Sequence, residues 1–166
     1  MSTRPRKLLA VAGLVAGGVL VGSGAAVAGS TGRLTPGVYA SWGPNVVTSG
    51  GAAVAQGKGV FGERSDATAV GGTQYAYDIR PGGDAAFVSV TYYFYGPDLG
   101  CSSGSCWSMK GGDRFGNWSQ ASWHAEYGSI PLARSADRAR GYYKACTDKS
   151  WAPDPCSATS ILTTSY

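Results

Sequence analysis

Apolar and polar residues alternate most clearly between Ala85 and Tyr95, where Val88, Val90, Tyr92 and Phe94 interleave with Ser89 and Thr91. A period of two sends successive side chains to opposite faces of a strand. The segment therefore predicts a strand with Tyr92 and Phe94 inward and Tyr93 and Tyr95 outward. The stretch before it has the same period, with Tyr75, Tyr77 and Ile79 alternating with Gln74, Asp78 and Arg80. This is the pattern of a half-buried strand. Pro81-Gly82-Gly83-Asp84 lies between the two runs and reads as a turn, so the pair predicts a hairpin. From Asn117 to Tyr127, Ala121, Trp123, Ala125 and Tyr127 share one face, and Gln120, Ser122, His124 and Glu126 share the other. That predicts a strand with one wet face carrying His124.

Further on, Ser129 ahead of Pro131 and the spacing of Leu132, Ala136 and Ala139 suggest one helical turn near 131–137. A strand from Arg138 to Thr147 comes next, and Ser157 to Tyr166 reads as a terminal strand. Short strands separated by turns predict an all-β fold, a small antiparallel β-sandwich or barrel-like domain spanning 73–166.

Residues 29–72 are rich in glycine, and their hydrophobic residues are isolated. Val38 to Trp42 and Val46 to Thr48 are short strand candidates, and Gly50-Gly51, Gly57, Gly59 and Gly71-Gly72 interrupt the remainder of the segment. Two readings are open. The segment supplies edge strands and surface loops of the main domain, or it is an extended arm that orders on a partner by strand addition, with Tyr39 or Trp42 as anchor. The arm reading predicts a larger contribution to binding than to stability.

The chain begins with a basic stretch (Arg4, Arg6, Lys7), an apolar run from Leu8 to about Val21 interrupted by glycines, and Ala26-Val27-Ala28. These are the three parts of a secretory signal peptide, and residues 1–28 are expected to be removed after Ala28. The mature chain of 138 residues is one domain's worth. Three of the 14 basic residues lie in the leader, which leaves 11 against 10 acidic ones. A net charge of +1 gives no reason to expect nucleic acid or an anionic membrane as partner. Cys101, Cys106, Cys146 and Cys156 are the only cysteines. An even number in an exported chain predicts two disulfides. Cys101–Cys106 and Cys146–Cys156 are the expected pairs, because each closes a short turn-rich segment.

No catalytic set assembles from these residues. His124 is the single histidine, and there is no G-x-S-x-G elbow to position a nucleophile. Glu63 and Glu126 are the only glutamates, and Asp84, Asp98, Asp113 and Asp154 occupy turn positions. No metal site and no cofactor are expected. The aromatic residues (5 Trp, 10 Tyr, 4 Phe) exceed what one side of a small core needs. Exposed Tyr and Trp favour binding surfaces, which marks Tyr93 and Tyr95, along with Tyr39 and Trp42, as candidate partner-binding residues. Arg134, Arg138, Arg140 and Lys144 form a basic cluster beside Tyr142 that suits an acidic protein patch or an anionic polymer. The reading is a secreted, non-catalytic protein-interaction module, for example an adaptor subunit of an extracellular assembly such as a secreted bacterial toxin particle. Its rivals are a protease inhibitor presenting Ser102–Ser105 or Thr147–Pro155, a small hydrolase using His124, and a carbohydrate-binding module.

Overall fold

The computed structural model describes residues 37–166 apart from 98 and 103. The expected signal peptide and the first residues of the Gly-rich segment lie outside the described residues. Eight strands form two four-stranded antiparallel sheets, and the described residues contain no helix. They are β1 (Tyr39–Ser49), β2 (Ala52–Glu63), β3 (Ala69–Asp78), β4 (Ala86–Gly96), β5 (Cys106–Trp118), β6 (Trp123–Pro131), β7 (Arg138–Thr147) and β8 (Ser160–Ser165). The first sheet has the order β1-β2-β3-β6, and the second has β5-β4-β7-β8.

The core lies between the sheets. Trp42, Val47, Phe61 and Val70 from the first meet Val88, Val90, Tyr92, Phe94, Tyr143 and Leu162 from the second. The rings of Trp42 and Tyr143 stack with centroids 5.2 Å apart. Side chains also join the two layers at both edges. Asn45 Nδ2 on β1 donates to the Ala158 carbonyl and to Ser160 Oγ at 3.1 and 2.9 Å. On the opposite edge the Gly116 N–H of β5 donates to Glu126 Oε2 of β6 at 2.8 Å.

Three expectations change, and one open alternative is decided. First, β3 and β4 are not a hairpin. β3 pairs with β2 and β6, and β4 pairs with β5 and β7, so residues 79–85 carry the chain from one sheet to the other. Second, β3 is inverted relative to its apparent hydrophobic side. Gln74, Ala76 and Asp78 are buried, and Tyr75 and Tyr77 face outward. The cause is the Trp42 indole, which takes the space beneath β2 and β3 and needs an acceptor for its N–H. Gln74 Oε1 provides it at 2.8 Å, and Gln74 Nε2 donates to the carbonyls of Val60 and Gly72. A buried polar side chain that is fully hydrogen-bonded is tolerated in a core. β6 shares the same inversion through its pairing with β3.

Third, 131–137 contains a turn in place of the helical turn, closed by the Ala136 N–H to the Ala133 carbonyl at 3.0 Å. The open alternative concerns the Gly-rich segment: residues 39–72 supply strands of the main domain, as one of the two readings has it, and not an arm held apart from it. β1 and β2 form a long hairpin that continues the first sheet, and Trp42 and Phe61 are core residues. Gly57 and Gly59 take inward positions on β2. A Cβ at Gly57 would lie 2.9 Å from that of Ala145 on the facing sheet. The glycines that look like interruptions therefore let β2 approach the other layer.

Candidate binding face

The candidate site is the outer surface of the second sheet, and its construction starts from β4. Val88, Val90, Tyr92 and Phe94 point into the core, which sends Ser89, Thr91, Tyr93 and Tyr95 outward. On β7 the same rule buries Ala139, Gly141, Tyr143 and Ala145 and turns Arg138, Arg140, Tyr142 and Lys144 outward. The antiparallel register then sets Tyr95 opposite Arg138, Tyr93 opposite Arg140, Thr91 opposite Tyr142 and Ser89 opposite Lys144. On the other flank β5 sets Trp107 beside Tyr95 and Met109 beside Tyr93.

Cross-strand neighbours on one sheet face interact directly, and here they form an aromatic layer under two guanidinium groups. Tyr93 packs on Tyr142 at 4.9 Å between centroids, and Tyr95 on Trp107 at 5.3 Å. The Arg138 guanidinium lies 4.2 Å from the centre of the Tyr95 ring, and that of Arg140 lies 4.1 Å from Trp107. Such cation–π placement holds the arginine heads over the rings while leaving donors available. Arg140 Nε also donates to Thr163 Oγ1 at 3.0 Å. Among the described residues, carboxylates pair with bases of this face only at its two ends, where Asp137 meets Arg138 at 3.3 Å and Asp148 meets Arg114 at 2.6 Å. Among the described residues Arg140 and Lys144 make no ion pair. Beside them a shallow depression of about 220 Å³ is lined by Ser89, Thr91, Tyr93, Tyr142, Lys144 and Thr159.

Of the candidate residues, the structure brings Tyr93 and Tyr95 together here. Trp42 is only 4% exposed and anchors the core, so it is unavailable to a partner. Tyr39 is exposed on β1 of the other sheet, away from Tyr93 and Tyr95. His124 is half-buried rather than fully solvated. It stacks on Trp118 at 4.5 Å and 14° where β6 faces β5. The solvent face of β6 instead carries Trp123 and Tyr127, and Lys58 Nζ lies 4.2 Å from the Trp123 ring.

Both expected disulfides are present, Cys101–Cys106 and Cys146–Cys156, consistent with an extracellular protein. The second ties the β7–β8 connection over the end of this face. There Phe87, an outward-pointing residue of β4, is covered by the Arg114 guanidinium and lies opposite Cys146. Trp107 and Arg140 are visible in the sequence as an aromatic and a base, but their joining with Tyr93 and Tyr95 depends on pairing across three strands. Comparison with protein-family models, curated proteins and solved structures finds no match.

Proposed function

We propose that this chain is a secreted, non-catalytic protein-interaction module, an adaptor within an extracellular assembly such as a secreted toxin particle. In this reading the outer face of the second sheet docks on an acidic protein surface. The observation that supports it most is the aromatic layer of Tyr93, Tyr95, Trp107 and Tyr142 beneath Arg138 and Arg140, where the described residues place paired carboxylates only at the ends. Aromatic and arginine side chains dominate interface energetics, and these are pre-positioned by their own contacts. The leader and the two disulfides support export, with residues 1–28 removed.

The test is capture from culture supernatant with the mature protein as bait, with mass spectrometry of the captured material. A stoichiometric protein lost with Tyr93→Ala and with Arg140→Glu, and weakened by added salt, supports the reading. A partner retained by both variants removes this face from consideration.

A further inference from the structure

The connection between β7 and β8 carries the most exposed large hydrophobic side chain among the described residues. Trp151 is 99% exposed. An indole left wholly in water gives nothing to the fold. Here it stands midway between Cys146 and Cys156, on a loop that is otherwise firmly held. The disulfide closes the base. The Thr147 N–H donates to the Pro155 carbonyl at 3.1 Å, and the Lys149 N–H to Asp154 Oδ1 at 2.9 Å. Asp148 is fixed twice, through its N–H to the Ala85 carbonyl at 2.8 Å and through its carboxylate to Arg114. Lys149 Nζ reaches Asp84 at 3.7 Å.

Residues 150–154 bulge beyond this clamp, and all five are exposed. Among the described residues, the backbone groups of 150–153 take no part in a hydrogen bond within the protein. A convex loop with a rigid base, unused backbone donors and acceptors at its crest, and one large aromatic side chain at its apex is complementary to a substrate cleft with an apolar primary pocket. Rigidity removes most of the ordering cost that a flexible peptide bears on binding.

We propose that Ser150–Asp154 is a reactive-site loop for a secreted serine endoprotease with aromatic specificity, with Trp151 filling the apolar slot that selects the residue before the scissile bond. The loop springs from the end of the sheet face around Tyr93, but Trp151 touches none of the aromatic layer there, so either assignment can fail without the other. The partner is defined by its pocket: a hydrophobic slot takes the indole, whereas a slot with a carboxylate at its base takes Lys or Arg.

The experiment is titration of chymotrypsin, with trypsin in parallel, using the disulfide-intact mature protein. The expected result is stoichiometric inhibition of chymotrypsin and none of trypsin. Trp151→Ala should weaken inhibition by at least about 30-fold, as a central anchor does. Trp151→Lys should transfer inhibition to trypsin. Because Trp151 packs against nothing, both variants should keep the parent's circular dichroism and melting midpoint. Three results overturn the proposal: no inhibition of chymotrypsin by folded protein at micromolar concentration, inhibition unchanged in Trp151→Ala, or rapid turnover after Trp151 as an ordinary substrate. Loss of inhibition in Tyr93→Ala with Trp151 intact would overturn it as well, by moving the contact to the sheet.

Discussion

The Trp42 indole N–H donates to Gln74 Oε1 at 2.8 Å inside the sandwich, between β1 and β3 and across the inward glycines of β2. This bond explains why a polar residue occupies a core position on β3. It also predicts what its loss does. Gln74→Leu leaves the indole N–H without a partner, and an unsatisfied buried donor costs about 1–3 kcal/mol. Gly59→Ala should be at least as damaging, because its Cβ would collide with the Gln74 amide and come within 2.8 Å of both the Trp42 nitrogen and the Thr73 carbonyl. Urea midpoints measure both. A Gln74→Leu protein as stable as the parent would show that the N–H finds another acceptor.

The fate of residues 29–60 is set by the same contacts. Removing them deletes β1 and most of β2, and with them Trp42, Val47 and Ala55. Large-to-small changes at single core positions already cost about 2–5 kcal/mol, so losing the whole hairpin should exceed the total stability of a domain this size. The shortened protein is expected to lack a cooperative melt by near-ultraviolet circular dichroism. If it melts cooperatively, the second sheet has a core of its own and the first is an accessory.

That outcome bears on how much of the fold is readable in the chain. β4 and β7 are legible because their inward positions read as an apolar series in period two: Val88, Val90, Tyr92 and Phe94 on one, Ala139, Tyr143 and Ala145 on the other. β2 is not, because its inward positions include Ala55, Gly57 and Gly59, and the bulk they lack is supplied by Trp42 from the neighbouring strand. On β3 the period of two is correct and the face is wrong. Hydrophobicity points Tyr75 and Tyr77 inward, but hydrogen bonding satisfies Gln74 in the core and leaves the tyrosines on the surface. At the candidate face, Tyr93 and Tyr95 are readable from one strand. Their contacts with Trp107 and Arg140 arise from register between strands far apart in sequence, which no local pattern records.

Three tyrosines give the protein a distinctive response to alkali. Burial, and then the nearby Tyr92 phenol, push Tyr143 well above the ordinary phenol range. Burial first, then Asp113 and Tyr127, raises Tyr92, and burial with Asp137 and Glu63 brings Tyr166 to about 12. The unfolded chain releases these protons near pH 10, before the folded protein does. The stability they protect is therefore intact below about pH 10 and is lost as pH climbs from there toward the folded values. Tyr143 alone should account for about 1.4 kcal/mol per pH unit in that window. Its hydroxyl hydrogen-bonds no group among the described residues. Tyr143→Phe should therefore be neutral at pH 7, or more stable by up to about 1 kcal/mol, and should lose less stability between pH 10 and 11. Urea unfolding at pH 7, 10 and 11 compares the two proteins. A phenylalanine variant clearly weaker at pH 7 would place a hydrogen-bond partner on that hydroxyl.

The two disulfides should contribute unequally. In the chain-entropy account a cross-link stabilises by restricting the unfolded chain, and more so for a longer loop. Cys101 and Cys106 are 5 residues apart, and Cys146 and Cys156 are 10 apart. The estimates are about 2 and about 2.7 kcal/mol. Packing widens the difference. Cys146 is fully buried and lies opposite Phe87, so opening the second bridge loosens the cover over that ring, whereas Cys101 and Cys106 are partly exposed at the end of β4 and β5. Backbone contacts limit the damage, because the Ser157 N–H still donates to the Ala145 carbonyl at 2.8 Å and Ser157 Oγ accepts from the Ala145 N–H at 3.1 Å. Cys146→Ala/Cys156→Ala should thus remain folded, with a urea midpoint below that of Cys101→Ala/Cys106→Ala. Its 147–155 loop should be cut by a non-specific protease that leaves the parent intact. Equal midpoints, together with an uncut loop, would mean that the hydrogen bonds and the Asp148–Arg114 pair hold the loop without the disulfide.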